Sequence, residues 1–360
     1  MYIPYIILWA GILCGFLLFL KHPVLSGENP VSSKKLSVII PARNEETNLP
    51  NILSDLKDQD LNIFEIICVD DGSCDKTKEI ILASGVTLIQ VKNKPDGWTG
   101  KSFACQEGAS HASGDLFLFL DADVRLEKNA VRKLLQAYER NHCAVSVQPY
   151  HRVCRLYEQL SLFFNLIMIA ANGVSLPFKM KNIGLFGPVI LIGREDYYAA
   201  GGHSSVKKSI VDDLTLGENL HAKGLKFSLY LGGKDISFRM YGGGIKQLQQ
   251  GWTKNFAAGA LKTSFIIIFM LVLWLGACTT GVINFFELIT DFSVHKLLYA
   301  IIIYALLAAE IGLGARKIGN FKTAAFLFYP VGLLFFFVIF SISMVKKIFR
   351  LKVTWKGRRI

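Results

Sequence analysis

The length of the uncharged apolar runs constrains this chain more than any other feature of its sequence. One run occupies residues 3–20, and three more occupy residues 264–286, 297–315 and 323–345, with Glu310 as their single charged residue. A helix needs about 20 consecutive apolar residues to cross the hydrocarbon core of a bilayer. The sequence therefore predicts a multi-pass membrane protein with one N-terminal and several C-terminal membrane helices.

The first run predicts an uncleaved membrane anchor over residues 1–22. It lacks a basic start and a small-residue cleavage site, both typical of a signal peptide, and Lys21-His22-Pro23 follows it directly. Residues 264–345 are predicted to hold the C-terminal transmembrane helices. The tail of residues 346–360 carries seven lysines and arginines, which suit anionic lipid headgroups.

The simplest topology has one helix before a cytoplasmic domain and three after it. The loop with Arg316, Lys317 and Lys322 is then cytoplasmic, as the positive-inside tendency expects, but the basic tail ends outside, against that tendency. The conflict disappears if one apolar run is re-entrant or lies at the interface and does not cross. The sequence is compatible with this topology and with the simplest one. Residues 160–178 are apolar enough to lie on the bilayer surface, although Asn165 argues against a span.

Residues 34–262 are predicted to form the catalytic domain. Acidic and basic residues nearly balance there, so the net charge of +12 lies mostly around the apolar runs. No nucleic-acid-binding motif is present, and nucleic acid is excluded as a partner. The seven cysteines are scattered without a C-x-x-C pair, which indicates reduced thiols in a cytosolic domain and not a zinc site or a disulfide framework.

Three strand-like apolar runs, at residues 36–40, 64–69 and 116–120, each end in polar residues and are each followed by a helical pattern. This alternation predicts an α/β domain with a parallel, doubly wound sheet. Because ligands bind outside the carboxyl ends of such strands, the polar residues there are candidates for a site. No G-x-G-x-x-G follows the first strand, so a dinucleotide fingerprint is absent.

Asp121 and Asp123 follow the third of these runs at once. Paired carboxylates suit Mg²⁺ or Mn²⁺, which bind through one or two carboxylates and the phosphates of a substrate. We therefore predict a divalent metal and a diphosphate at this strand end. The alternative for an isolated D-x-D is a solvated turn.

Other polar residues have both a functional and a structural interpretation. Lys101 lies at a predicted helix start, where an anion is favoured, although Ser102 makes an ordinary helix cap equally plausible. Asp212 and Asp213 also precede a helical stretch, either as caps or with one of them as a general base. A single histidine such as His203 is more often structural, and we expect a structural role for it.

These motifs together resemble the family 2 glycosyltransferases, which are inverting enzymes with a GT-A fold. The resemblance rests on residues 40–46, Asp70-Asp71-Gly72-Ser73, Asp121-Ala122-Asp123 and Asp212-Asp213, and it extends over nearly the whole chain. It implies that Asp121 and Asp123 hold the metal and the sugar-nucleotide diphosphate, and that Asp213 is the base, with Asp212 beside it. It also implies that Pro41, Arg43 and Glu45 line the nucleotide pocket and that Asp70 or Asp71 contacts the base. We assign Lys101, as an anion-binding residue at a helix start, to the same nucleotide-sugar site.

Further blocks, such as Gly201-Gly202-His203 and residues 251–254, resemble members of this family that glucosylate a C30 carotenoid carboxylic acid. The resemblance implies a UDP-glucose donor and a bacterial cell-membrane enzyme with a cytoplasmic catalytic domain. Processive members carry Q-x-x-R-W, whereas Leu-Gln-Gln-Gly precedes Trp252 here, so chain polymerisation is not expected. The alternatives are another lipid acceptor, such as a polyprenyl phosphate or diacylglycerol, or a non-catalytic membrane scaffold.

A polyene acceptor has to be met at the bilayer surface, because its apolar groups are costly to expose to water. Trp252, Phe163 and Phe164 are candidates for a lipid-facing entrance that binds this acceptor. Alternatively, these aromatic side chains only anchor the domain to the membrane.

Overall fold

The computed structural model describes residues 3–27, 33–178, 180, 182–209, 211–260, 262–349, 354–355 and 358–359. The chain forms two compact units. The sheet unit comprises Pro23–His151 and Gly184–Arg239, and the helical unit comprises Met1–His22, Arg152–Ile183 and Met240–Ile360. Parts of the segment 34–262, namely residues 152–183 and 240–262, belong to the helical unit in this division.

The sheet unit is built on a seven-stranded sheet with the order β3-β2-β1-β4-β8-β6-β9. A short three-stranded sheet, β5-β10-β7, belongs to the same unit. The strands are β1 (Leu36–Ala42), β2 (Glu65–Asp70), β3 (Thr87–Gln90), β4 (Leu116–Leu120), β5 (Val124–Leu126), β6 (Ala144–Gln148), β7 (Tyr150–His151), β8 (Val189–Gly193), β9 (Phe227–Leu231) and β10 (Ile236–Phe238).

The α/β class is confirmed, and the three predicted strands, β1, β2 and β4, are parallel. The sheet as a whole is mixed, because β8, which the sequence did not reveal, runs the other way. Strands β3, β2, β1 and β4 are parallel to one another, whereas β8 runs antiparallel to both β4 and β6. A strand that is buried on both faces is a continuous apolar run, and such a run carries no signal for its direction. The sequence of β8, Val-Ile-Leu-Ile-Gly, is a run of this kind.

Helices cover both faces of the sheet. Val38 and Ile40 of β1 contribute to one apolar core, and Ile39 between them contributes to the other, as expected when successive side chains point to opposite faces. The helices of this unit are α2 (Leu49–Lys57), α3 (Thr77–Ala83), α4 (Gly100–His111), α5 (Ala130–Asn141), α7 (Arg194–Ala199) and α8 (Asp212–Ala222).

The helical unit contains three helices that are long and apolar enough to cross a membrane within the described residues, namely α10, α11 and α13. The N-terminal α1 is apolar but shorter, at 16 residues. The helices of this unit are α1 (Ile3–Leu18), α6 (Leu162–Ala171), α9 (Ile245–Ala260), α10 (Phe265–Thr290), α11 (Val294–Ile318), α12 (Thr323–Leu327) and α13 (Tyr329–Ile348). Two-residue strands, β11 (Thr354–Trp355) and β12 (Arg358–Arg359), pair near the C-terminus.

Helix α1 packs against α10 through two glycines spaced four residues apart. A Cβ atom on Gly11 would lie 2.3 Å from the backbone oxygen of Leu273, and one on Gly15 would lie 2.2 Å from Cδ1 of Trp274 and 2.4 Å from Oε1 of Glu310. Small residues at this spacing let two helix backbones approach closely inside a membrane. The packing of α1 on α10 therefore depends on the absence of side chains at these two positions.

Gly11→Ala is expected to destabilise the protein, because the atom that its methyl group would meet is backbone and cannot move aside. Overpacking of this kind costs about 1–3 kcal/mol. Gly276→Ala is the matched control, because a Cβ atom at Gly276 of the same α10 would meet no atom within 4 Å. Thermal unfolding of the detergent-solubilised protein should show a lower Tm for Gly11→Ala alone, and equal Tm values for the two variants would contradict this packing.

Candidate active site

Strands β1, β2 and β4 bring their polar ends to one edge of the sheet. They are parallel neighbours, with Ala42 opposite Asp70 in the register of β1 and β2. The residues that follow them are therefore close in space, as the sequence predicted. Two groups of side chains result, one beyond β1 and β2 and the other beyond β4.

The first group links the chain segments beyond β1 and β2. Nη1 of Arg43 lies 3.7 Å from Oδ2 of Asp71, which is buried. Burial raises the pKa of Asp71, although the charges of Arg43 and Lys94 oppose the shift. Asp70 accepts a hydrogen bond from the backbone N–H of Ser73, at 2.9 Å, and so stabilises the turn that presents Asp71.

Asn44 and Glu45 hold the loop between β1 and α2 in place. Asn44 adopts a left-handed conformation with φ of 52°, and its side-chain oxygen accepts a hydrogen bond from the N–H of Cys74. Oε2 of Glu45 accepts a hydrogen bond from Asn48 at 2.7 Å, just before α2. The structure therefore gives the Glu45 carboxylate a role at the start of a helix, and its predicted role in nucleotide binding stays a prediction.

The second group lines a pocket beyond β4. Nζ of Lys101, at the start of α4, lies 2.6 Å from Oδ1 of Asp121 and donates a 3.3 Å hydrogen bond to the carbonyl of Gly187. Pro41, Asp212 and Asp213 line the same pocket. Burial alone would lower the pKa of Lys101, but the surrounding carboxylates, Asp121 foremost, raise it above its ordinary value. The lysine is therefore a fixed positive charge among three acidic side chains.

The two carboxylates at the start of α8 differ in their surroundings. Asp212 is buried and accepts a 2.6 Å hydrogen bond from the hydroxyl of Ser102. Asp213 is half-buried and lies so near the backbone of Gly187 that a Cβ atom there would be 2.5 Å from its Oδ2. Burial and the charge of Asp212 raise the pKa of Asp213 to about 6. Asp213 is thus better placed than Asp212 to accept a proton near neutral pH.

His203 also lines this pocket, which its sequence context did not indicate. It is buried, and its Nδ1 lies 2.9 Å from the hydroxyl of Tyr197, so part of the structural role expected for it is present. Burial lowers the pKa of His203 to about 4, so the ring is neutral at physiological pH. The Gly201-Gly202-His203 block drew attention to His203 in the sequence. The sequence distance from His203 to the acidic residues does not show that they lie close together in space.

Asp121 and Asp123 are both half-buried, at the turn between β4 and β5. No group of three or more histidine, cysteine or acidic side chains suited to a metal ion occurs among the described residues. Two carboxylates nevertheless fit a divalent ion whose other ligands come from substrate phosphates and water. One oxygen of Asp121 is paired with Lys101.

Comparison with known proteins agrees with this geometry. The glycosyl transferase family 2 model matches residues 37–190, which contain β1, β2 and β4 with their polar ends. The chain is also 34% identical to 4,4'-diaponeurosporenoate glycosyltransferase of Staphylococcus aureus strain USA300, over 98% of this chain and 96% of that protein. The chain belongs to glycosyl transferase family 2. The protein is thus a glycosyltransferase, as its motifs predicted.

The protein of the same description from S. aureus strain MRSA252 matches with the same identity and coverage. Among solved structures, this glycosyltransferase resembles mannosyltransferase PcManGT from Pyrobaculum calidifontis in complex with GDP-Man and Mn²⁺. The TM-score is 0.54, at 16% sequence identity over 97% of this chain and 95% of that one. This likeness supports the predicted GT-A fold.

The prediction that Phe163 and Phe164 form a lipid-facing surface is wrong. Both side chains are fully buried in the helical unit of this glycosyltransferase. Phe164 stacks on Trp252 with ring centroids 4.8 Å apart, and the indole N–H of Trp252 donates a hydrogen bond to the hydroxyl of Ser161. A run that is almost wholly apolar has no polar face to show which side meets lipid, and α6, in which Asn165 is the one polar residue, is enclosed by protein. A role for the three aromatic residues in acceptor binding stays a prediction.

The pH dependence of transfer should report the environment of Asp213. Its pKa is raised to about 6, so the carboxyl is protonated below that pH and cannot accept a proton. The rate should therefore fall as the pH drops through about 6, and Asp212→Asn should move this fall to lower pH because it removes a neighbouring negative charge. The measurement is the transfer rate of the parent protein and of Asp212→Asn at a series of pH values, from which the midpoint of the fall is obtained for each. A midpoint that does not move would assign the titration to another group.

Proposed function

We propose that this enzyme transfers glucose from UDP-glucose, with inversion, to the carboxylate of a C30 carotenoid acid at the surface of a bacterial cell membrane. The observation that carries the proposal is the 34% identity to 4,4'-diaponeurosporenoate glycosyltransferase along 98% of the chain. The apolar helices α10, α11 and α13 fit an acceptor that resides in a membrane. Residues 1–22 and 264–345 are the proposed membrane parts, residues 34–262 hold the cytoplasmic catalytic domain, and residues 346–360 form the basic tail.

In this proposal the nucleotide lies along the ends of β1 and β2. Pro41, Arg43 and Glu45 line its pocket, and Asp70 or Asp71 contacts the base. Of these two, Asp71 is the better candidate, because Asp70 already accepts the hydrogen bond of Ser73 in its own turn. The ion pair of Arg43 with Asp71 fixes the direction in which the Asp71 carboxylate points.

The diphosphate lies beyond β4 in this proposal. Lys101 is positively charged at the start of α4, where the helix dipole also favours an anion. Asp121 and Asp123 would hold a divalent ion, Mg²⁺ or Mn²⁺, and such an ion neutralises negative charge on the leaving diphosphate. A phosphate that enters this site would compete with Asp121 for the ammonium group of Lys101.

The transfer is a single displacement. An acceptor oxygen bonds to the anomeric carbon on the face opposite the diphosphate, the bond from that carbon to the diphosphate oxygen breaks, and UDP leaves with the electron pair. A carboxylate acceptor is already ionised near neutral pH. An ionised carboxylate has no proton to give, so Asp213 acts as a base only on the fraction of acceptor that is still protonated, and its contribution should be smaller than for an alcohol acceptor.

The acceptor class is tested with membranes that contain the enzyme, a panel of nucleotide sugars and a carotenoid acid. We expect a product that carries one hexose from UDP-glucose and is cleaved by mild alkali, because a glycosyl ester is alkali-labile. A product of diacylglycerol that keeps its sugar in mild alkali after its acyl chains are lost, or an acid-labile polyprenyl phosphate sugar, would identify another lipid acceptor. Either product, with none from the carotenoid acid, would refute the proposed acceptor.

Removal of either carboxylate at the proposed metal site should weaken binding of UDP in the presence of Mn²⁺. Asp121→Asn and Asp123→Asn change charge at a half-buried strand end and remove no core volume, so the proteins should fold. Isothermal titration measures the affinity for UDP with and without Mn²⁺. The increase in affinity that Mn²⁺ gives the parent protein should be lost in both variants, so their Kd for UDP with Mn²⁺ should be higher than the parent's by about tenfold or more, as expected for a lost charged contact. Asp96→Asn, at an exposed carboxylate of the same unit, is the control. A full Mn²⁺ effect in Asp123→Asn would exclude it as a ligand.

A further inference from the structure

Helix α13 begins deep within the helical unit. The hydroxyl of Tyr329, its first residue, donates a 3.0 Å hydrogen bond to the carbonyl of Cys278, which lies at the middle of the 26-residue α10. The hydroxyl of Tyr304, near the middle of α11, donates a 2.6 Å hydrogen bond to the carbonyl of Leu327, the last residue of α12. The junction of α12 and α13 is thus level with the midpoints of two long membrane helices.

One end of the membrane helices can be assigned from contacts alone. The ammonium group of Lys317, in the last turn of α11, donates hydrogen bonds to the carbonyls of Phe19 and Leu20, just past the end of α1. Phe19 in turn contacts Trp274 in the first half of α10, with ring centroids 5.1 Å apart. The end of α1, the start of α10 and the end of α11 therefore lie on one side of the membrane, which we call the entry side.

Helix α13 returns to this entry side. The hydroxyl of Ser343, near its end, is buried and donates a 2.8 Å hydrogen bond to the carbonyl of Thr253 in α9. Helix α9 directly precedes the start of α10, so Thr253 belongs to the entry side. Between the two ends, Phe336 of α13 contacts Phe164 of α6 with ring centroids 5.2 Å apart. From its start at Tyr329 to Ser343 near its end, α13 therefore contacts first residues at the middle of the membrane helices and then residues on the entry side.

Helix α12 enters from the same side. The backbone N–H of Lys322, just before α12, donates a 3.0 Å hydrogen bond to Gln159, and Asn320 bonds to the backbone of Val153. Lys322 follows the end of α11 by only a few residues. The start of α12 and the end of α13 therefore both lie on the entry side.

The sequence at the junction supports a turn inside the membrane. Pro330, in the first turn of α13, lacks an N–H and favours a helix start over a helix interior. Backbone groups released at such a break need partners, because hydrocarbon offers none. The Tyr304 hydroxyl supplies one for the carbonyl of Leu327.

We propose that α12 and α13 form a re-entrant hairpin that dips to mid-membrane and returns, so that the basic tail lies on the entry side, against anionic headgroups. The helix α13 is long enough to span, but it does not cross. The basic groups Arg316, Lys317 and Lys322 and the seven in residues 346–360 then share one membrane face. This arrangement removes the conflict with the positive-inside tendency, which a third C-terminal span creates.

Cysteine labelling in the full-length protein tests the hairpin. In a background with the exposed Cys74 and Cys154 changed to serine, single cysteines are placed by Lys347→Cys, Phe292→Cys and Lys322→Cys, all at exposed positions. A membrane-impermeant maleimide is then applied to sealed vesicles of known orientation. We expect Lys347→Cys and Lys322→Cys to react from the same side, and Phe292→Cys, in the loop between α10 and α11, from the opposite side. Reaction of Lys347→Cys from the side of Phe292→Cys would overturn the proposal.

An epitope tag gives an independent measurement with the natural cysteines in place. One protein carries the tag after Ile360, and another carries it between Asp291 and Phe292. In vesicles of one orientation, antibody should reach one of the two tags and not the other if α12 and α13 form a hairpin. Equal access to both tags would show that α13 crosses the membrane and would refute the hairpin. This result is independent of the acceptor and of catalytic activity.

Discussion

The candidate site of this glycosyltransferase depends on one lysine, Lys101, that pairs with Asp121 and lies near two further carboxylates. Asp121, Asp212 and Asp213 share a pocket in which burial disfavours charge, and Lys101 is the cation among them. All three carboxylates raise the pKa of Lys101 and keep it protonated. The charge of Lys101 in turn partly offsets the burial and the repulsion by Asp212 that raise the pKa of Asp213. The pocket is therefore acidic in composition but contains one positive charge.

Close backbone packing fixes the position of these carboxylates. A Cβ atom on Gly184 would lie 2.4 Å from the Cα atom of Leu214, and one on Gly217 would lie 2.6 Å from the Cα atom of Gly184. The start of α8 therefore lies directly against the loop before β8. Because Asp212 and Asp213 open this helix, any side chain at Gly184 or Gly217 would displace both carboxylates.

The sequence predicted the parts of the site that follow strands, because parallel strands end at a common edge. Asp71 and Asp121 lie where this rule places them, and Lys101 lies at the helix start that was predicted for it. The place of His203 in the pocket was not predicted, because a single histidine in a loop has no spacing rule that relates it to the acidic residues. The direction of β8 was also hidden, because an apolar strand has the same pattern in either direction.

Apolar runs carried the least positional information. Their length correctly predicted long apolar helices, yet a run buried in protein and a run facing lipid have the same composition. For this reason Phe163 and Phe164 were assigned to a lipid-facing surface although both are enclosed. The one apolar run of residues 323–345 proved to be two helices with a break before Tyr329, where Pro330 was the local signal.

The contact of α1 with α10 has a consequence for shortened forms of the protein. Gly15 covers the Glu310 carboxyl, whose other oxygen accepts a 3.3 Å hydrogen bond from the indole N–H of Trp274. Without α1, this carboxyl would lose one side of its enclosure, and an ionisable group that meets hydrocarbon is costly. Helix α1 therefore helps to enclose an acidic side chain within the helical unit. A protein that lacks residues 1–22 would keep the residues of its sheet unit but expose the Glu310 carboxyl.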